Sequence, residues 1–286
     1  MVGLSVLFVI LWGLQFGIDF TGGSITEVKY VERPEKSMVE TELNTLKGLG
    51  VYSLRASGDA NYILRTKDLE EAERLEVNNA LSLGETLEME VERFNSIGPI
   101  IGEELRNKAF FAIVVVMIAI IFFIAFTFRR VSKPVSSWKY GSIAIVALLH
   151  DIALPVGLFA ILGRFFGAEV DVLFVMALLA ILGYSVNDTI VVFDRVRENL
   201  RHNDETNIRE NFDITVGHSL NQTFVRSINT SITTALVLIF LFIMGGETTK
   251  WFALTLLSGV IAGTYSSIFL ATPLLVWVNE RREDKK

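Results

Sequence analysis

The sequence predicts a polytopic α-helical membrane protein with six transmembrane helices and a ferredoxin-like α+β domain outside the membrane, between the first two spans. Three observations carry that reading. Hydrophobic residues make up 51% of the 286, and they are gathered into windows instead of being spread evenly. Five windows, at roughly 109–128, 141–162, 172–193, 228–245 and 251–277, reach the ~20 residues a helix needs to cross a ~30 Å hydrocarbon core. Between a shorter sixth window, Met1–Phe16, and residue 108 the chain has the charge and periodicity of a soluble domain.

The first window, residues 1–16, reads as a membrane-anchoring helix. A cleaved signal peptide is the competing reading, but there is no basic leading region, and Gln15-Phe16-Gly17 is a poor cleavage site. Its shortness suggests a helix entered part-way along. Residues 17–107 hold 18 acidic and 10 basic side chains. Ser24–Val31 alternates apolar and polar with period two, as a half-buried strand does. A helix follows Pro34, with Met38, Leu43, Leu46 and Leu49 at near-helical spacing. Val51–Ala56 and Ala60–Thr66 read as strands around a Ser57-Gly58-Asp59 turn. Asp68–Leu83 is a second helix, and Thr86–Phe94 alternates again. The order β-α-β-β-α-β is the split βαβ, ferredoxin-like arrangement. Such a fold hosts many functions; a passive cap and a docking surface for an exported partner both remain open here.

Residues 108–278 then carry spans two to six, and residues 279–286 form a tail. Basic residues set the orientation. Arg129, Arg130, Lys133 and Lys139 fall in one loop, Arg195, Arg197, Arg201, Arg209 and Arg226 in or beside another, and Arg281, Arg282, Lys285 and Lys286 in the tail. The opposite loops hold only Arg164 and Lys250. Both termini are therefore expected in the cytoplasm. Cysteine is absent, which excludes disulfides and thiolate metal sites. The basic residues are accounted for by orientation, so no nucleic-acid partner is expected. Residues 195–213 are charged but contain no phosphate-binding loop, which argues against direct nucleotide use.

Two aspartates interrupt the apolar runs. A carboxylate at membrane depth costs at least ~2.5–3.5 kcal/mol on insertion scales and usually marks an ion or proton route. Asp151 lies ten residues into its span, ~15 Å deep and near the midplane. Its neighbour His150 is titratable, although adjacent positions point to different faces of a helix. Pro155 removes a backbone donor and can bend the helix. A purely structural Asp151, bonded to neighbouring helices, is the alternative. Asp188 sits in Gly183-Tyr184-Ser185-Val186-Asn187-Asp188-Thr189, the most polar interruption of any span. Asn187 and Thr189 supply polar neighbours, and a carboxylate in a low-dielectric site holds its proton until an opposite charge or water arrives. The counter-charge offered by the sequence is Arg226, in a stripe of His218, Gln222, Arg226, Asn229, Thr230 and Thr233 along the start of the fifth span. An arginine stays charged and modulates an acid without carrying the proton; a snorkelling interfacial arginine is the plainer alternative. Gly259 and Gly263 form a small-xxx-small pattern that permits close helix packing.

Three motifs resemble the SecF family, in order along essentially the whole chain. They are Asp19-Phe-Thr-Gly-Gly23, Gly98-Pro-Ile-Ile-Gly102-Glu-Glu-Leu105, and the run Tyr184–Asn199 with Ser-Val-Asn-Asp-Thr inside it. The resemblance implies a half-bundle of the resistance–nodulation–division type in the inner (cytoplasmic) membrane. It implies a heterodimer with SecD that uses the proton-motive force to assist late export of preproteins through SecYEG, after SecA has acted. By the same resemblance Asp188 is the proton-coupling acid and Arg226 its essential arginine. Asp151 matches an aspartate usual in the third span, and Asn187, Thr189 and Gln222 are supporting polar groups. No enzymatic activity and no cofactor are expected, protons being the coupling ion. Two rivals are a small-molecule efflux half-transporter of the same superfamily and a non-conducting scaffold for SecD or SecYEG. Against the first, 286 residues give only half of a twelve-helix unit.

Overall fold

A computed structural model describes residues 1–128 and 136–283. Arg129, Arg130, Lys133, Lys285 and Lys286, used above for orientation, lie outside the described residues. The chain divides into two compact units, one of residues 1–15 with 110–286 and one of residues 16–109.

In the second unit α2 (Ile18–Thr21) leads into β1 (Gly23–Tyr30), then α3 (Lys36–Leu43), β2 (Ser53–Ser57), β3 (Asn61–Thr66), α4 (Glu71–Leu81) and β4 (Met89–Ile97). The sheet order is β2-β3-β1-β4, with every neighbouring pair antiparallel. This is the ferredoxin-like topology that the element order predicts. Alternation explains the core: Val28, Tyr30, Leu54, Tyr62 and Leu64 point inward from the strands onto Val39 and Leu43 of α3 and Val77 and Leu81 of α4. The boundaries differ from the sequence reading where turn chemistry intervenes. The second helix starts at Glu71, not Asp68, because the Glu73 carboxylate accepts the Glu70 N–H at 3.0 Å and fixes the start there. The last strand begins three residues late because Leu83, Gly84 and Glu85 all take positive φ in the turn that ends α4.

Tyr30 ties strand to helix: its hydroxyl donates to the Leu81 carbonyl at 2.9 Å in the buried core. Burial, with the Tyr62 ring beside it, pushes this phenol from the ordinary 10.0 up to about 12. A raised folded value means stability is complete below pH 10 and is lost as pH climbs towards 12. Tyr30→Phe strands one carbonyl and should cost roughly 1 kcal/mol. Thermal unfolding at pH 8 and pH 11 checks both: the wild type should lose stability at the higher pH and the variant should lose less.

The two glycine motifs meet within this unit. A Cβ on Gly22 would stand 2.7 Å from Cα of Pro99, and one on Gly102 would stand 2.8 Å from N of Gly22. The backbone at 22–23 and the start of α5 (Pro99–Thr127) therefore cross in van der Waals contact, which only missing side chains allow.

The other unit is a helical bundle: α1 (Val2–Trp12), the rest of α5, α6 (Ser137–Phe166), α7 (Val172–Glu205), α8 (Phe212–Met244), α9 (Glu247–Ser266), a π-helical turn Ser267–Ala271, and α10 (Thr272–Glu283). Five helices among the described residues are long and apolar enough to cross a membrane, the last running from Thr249 through the π turn to Glu280. The sixth expected span is represented by α1, whose 11 residues fall short of a bilayer. It is nonetheless packed: a Cβ on Gly157 of α6 would fall 2.4 Å from Cβ of Ser5, the buried residue of α1. Gly259 and Gly263 play the same part for α7 and α9, facing Ile181 and Ser185.

Candidate functional site

The site is assembled where α6, α7 and α9 pack on one another. Asp151 sits near the middle of the Trp138–Phe166 span and is 0% exposed. Three groups hold its carboxylate. Ser266 Oγ of α9 donates to Oδ2 at 2.8 Å, Ser185 Oγ of α7 donates to the same oxygen, and His150 Nδ1 lies 2.9 Å from Oδ1. Each partner follows from packing. Gly263 lets α9 approach α7 until a Cβ there would lie 3.0 Å from Cβ of Ser185, so hydroxyls from both helices reach the same oxygen of α6. Pro155 adds a second consequence: its helical partner four residues back is Asp151, whose main-chain carbonyl receives no N–H from position 155.

His150 departs from the sequence reading. Adjacent helix positions diverge, yet this imidazole turns back to the carboxylate, held by stacking on Tyr265 at 5.9 Å between ring centroids. The described structure therefore gives Asp151 a titratable partner that position counting argued against.

Asp188 is half-buried on α7, three residues beyond Ser185 and so on the same side of that helix. Its carboxylate accepts a hydrogen bond from Ser267, the first residue of the π turn. Asn187 is exposed and Thr189 buried, and among the described residues the hydrogen bond to Asp188 comes from Ser267, not from either of them. Arg226 is exposed on α8, with no ion pair to Asp188 among the described residues. The structure thus brings together Asp151, Ser185 and Ser266, and separately Asp188 and Ser267, but it does not bring Arg226 to either acid. Gln222 accepts from Asn199 of α7 at 3.0 Å, and Asn199 also donates to Ser219 at 2.8 Å.

On α8 the polar residues divide into two stripes. Thr215, Ser219, Thr223, Ser227 and Ser231, one every fourth residue, face inward and are buried. Most satisfy themselves locally, as Ser219 does on the Thr215 carbonyl at 2.6 Å. Ser231 instead binds Tyr184 of α7 at 3.3 Å and Thr264 of α9. His218, Gln222, Arg226, Asn229, Thr230 and Thr233 form the other stripe, and all are exposed in this chain. Glu210, in the connection between α7 and α8, is held below the usual carboxylate range by hydrogen bonds from Thr215 and then Asn203.

Sequence reasoning passed over Ser266 and Ser267. Their signal was available: Thr264-Tyr-Ser-Ser267 is a polar cluster inside the sixth span, adjacent to the glycine pair that marks close packing.

Comparison with known proteins places these features in context. The family model of the protein export membrane protein SecD/SecF C-terminal region matches residues 77–281, and that of the SecD/SecF GG motif matches residues 13–31. The protein translocase subunit SecF of Thermobaculum terrenum is 41% identical over 291 residues, covering 96% of this chain and 88% of that protein. The SecF of Anaerolinea thermophila is 35% identical over 277 residues, covering 96% and 87%. The crystal structure of SecDF, a translocon-associated membrane protein from Thermus thermophilus, superposes with a TM-score of 0.78 at 32% identity. That match takes in 97% of this chain and 36% of the SecDF chain, so the present protein spans about a third of its length.

Proposed function

This chain belongs to the SecF family of protein translocase subunits, and from that premise we propose that it couples proton movement to protein export as the membrane partner of a SecD subunit. Its place as an accessory subunit of Sec-dependent export, in a multi-pass membrane protein, follows from the family. The efflux alternative is not favoured, since the relatives are protein translocase subunits. The finer reading is ours. Asp188 takes up and releases protons, Arg226 supplies the fixed positive charge, and Asp151 belongs to the same route, with protons as the coupling ion and no further cofactor. Asn187, Thr189 and Gln222 are the polar surroundings of that route. The protein sits in the cytoplasmic membrane with both termini inside, acting on a preprotein in the SecYEG channel after SecA. The external ferredoxin-like domain converts the proton cycle into work on the exported chain.

The observation that carries this reading is the pair of carboxylates within membrane spans, each held by a serine of the last span. An acid is retained there against the insertion cost only where its charge is used or its hydrogen bonds are needed. The exposed stripe on α8 supports the partnership with SecD. An arginine and its polar neighbours on a helix of that hydropathy are costly against lipid, so a second polypeptide or water must cover them.

The test is Asp188→Asn in cells whose only SecF is this protein. Proton-driven export should fall by about two orders of magnitude, the scale set by removing a proton-transferring side chain. The variant should still co-purify with SecD in wild-type yield. Export at the wild-type rate by an assembled Asp188→Asn complex would sink the proton role and leave a scaffold.

A further inference from the structure

Three consecutive residues of the last span each touch the acids or their histidine. Tyr265 stacks on His150, Ser266 donates to Asp151 at 2.8 Å, and Ser267 donates to Asp188. Successive residues of a helix point ~100° apart, so a single turn can address two neighbouring helices at once, here α6 and α7. Both serines are 0% exposed, so their hydroxyls are committed to these acceptors and to the local carbonyls of Gly263 and Thr264. Ser185 closes the arrangement from the other side, since it holds Asp151 from a position three residues before Asp188 on α7.

The backbone changes register at the same place. The π turn begins at Ser267, and Thr272 Oγ1 donates to the Ser267 carbonyl at 2.7 Å. A π turn is a rare, locally expanded register that concentrates at functional sites. It means that a shift of Ser267 changes the hydrogen bonding of the helix itself, one residue away from the group that holds the other acid.

We propose that Ser266 and Ser267 are positioning residues that join Asp151 and Asp188 into one proton-handling unit, hinged at the π turn of the last span. The inference rests on the reading that Asp188 handles protons. The serines only donate hydrogen bonds; the protons bind and leave the two carboxylates. A change in charge on Asp188 alters what Ser267 must do, and Ser266, the preceding residue, transmits that change to Asp151. The other ionisable groups on helices packed against α7 include Lys139, Tyr140, His150 and Arg164 of α6, Asp213, His218 and Arg226 of α8, and Lys250 and Tyr265 of α9, with Tyr184 on α7 itself. Of these, His150 alone contacts one of the two acids in the described structure.

The experiment uses the SecD–SecF complex reconstituted in vesicles. Infrared difference spectra between acidic and alkaline buffer isolate the C=O stretch of protonated carboxyls. The component missing from Asp188→Asn belongs to Asp188, and that missing from Asp151→Asn to Asp151. A carbonyl that loses a hydrogen-bond partner stretches at higher wavenumber. Ser267→Ala should therefore move the Asp188 component up and, through Ser266, displace the Asp151 component as well. Proton flux should drop roughly tenfold, the scale of one lost hydrogen bond to a charged group. Ser267→Thr should restore both. Ser267→Cys, similar in volume but a weak donor, should move the bands in the same direction as alanine if the alanine variant does not assemble.

An Asp188 component indifferent to these substitutions would overturn the proposal. So would an Asp151 component that stays fixed while that of Asp188 moves, or the lack of any Asp151 component. Persistent flux in Asp188→Asn would instead overturn the functional reading itself. Loss of that flux with independent bands would overturn the coupling alone.

Discussion

Asp151→Leu should destabilise the helical bundle by about 2–4 kcal/mol. The carboxylate is fully buried and accepts from Ser185 and Ser266, with His150 Nδ1 2.9 Å from its other oxygen. Leucine leaves these donors in an apolar setting with nothing to replace the lost acceptor. Each unsatisfied buried donor costs ~1–3 kcal/mol, reduced where a hydroxyl can turn to another carbonyl. Ser266 has that option on Gly263, at 3.2 Å. The apparent melting temperature of the detergent-solubilised complex measures the loss. Asp151→Asn keeps one acceptor oxygen and should cost only roughly 1 kcal/mol, yet it cannot exchange a proton. If Asp151 is a working acid, the asparagine variant assembles normally and exports poorly. Normal export by Asp151→Asn, together with poor assembly of Asp151→Leu, would assign this residue to packing alone.

Gly22→Ala should cost the ferredoxin-like unit about 2–6 kcal/mol, from two additive causes. Gly22 has φ 74° and ψ 162°, a region that side chains make strained by ~1–3 kcal/mol. The added methyl would also lie 2.7 Å from a backbone atom of Pro99, which a rotamer change cannot relieve, and overpacking of this kind costs ~1–3 kcal/mol. Gly48→Ala is the control. Its φ is 102°, but an added Cβ meets nothing within 4 Å, so only the conformational part applies. Limited proteolysis of the unit and its thermal unfolding should rank the variants wild type, Gly48→Ala, Gly22→Ala. Equal losses at the two glycines would mean that the contact with Pro99 contributes nothing.

That crossing also shows how far the sequence could be read. Asp19-Phe-Thr-Gly-Gly23 and Gly98-Pro-Ile-Ile-Gly102 stand out as motifs by composition, but their mutual contact joins residues some 80 positions apart, as the Gly22–Gly102 approach shows. The strands and helices between them were legible because alternation and helical spacing are local. Their ends were less so, as at Leu83–Glu85, where three successive positive φ values end the helix and delay the last strand.

The same division governs the membrane site. The sequence by itself determined that the chain crosses a membrane, that a split βαβ domain is inserted after the first apolar segment, and that Asp151 and Asp188 are the exceptional residues. All of these depend on hydropathy and periodicity within a few turns of chain. Its local pattern gave Asp188 the polar company of Asn187 and Thr189 and the charge of Arg226, and offered Asp151 only His150, on a diverging face of the helix. Only the tertiary structure decided the hydrogen bonds. Asp151 is the more fully held, by hydroxyls 34 and 115 residues away, and Asp188 is held by a serine 79 residues away instead of by its neighbours. The physical reason is that a buried carboxylate is satisfied by whichever donors helix packing brings within ~3 Å. That packing is set by glycines such as Gly263, whose effect appears only when α7 and α9 are laid against each other.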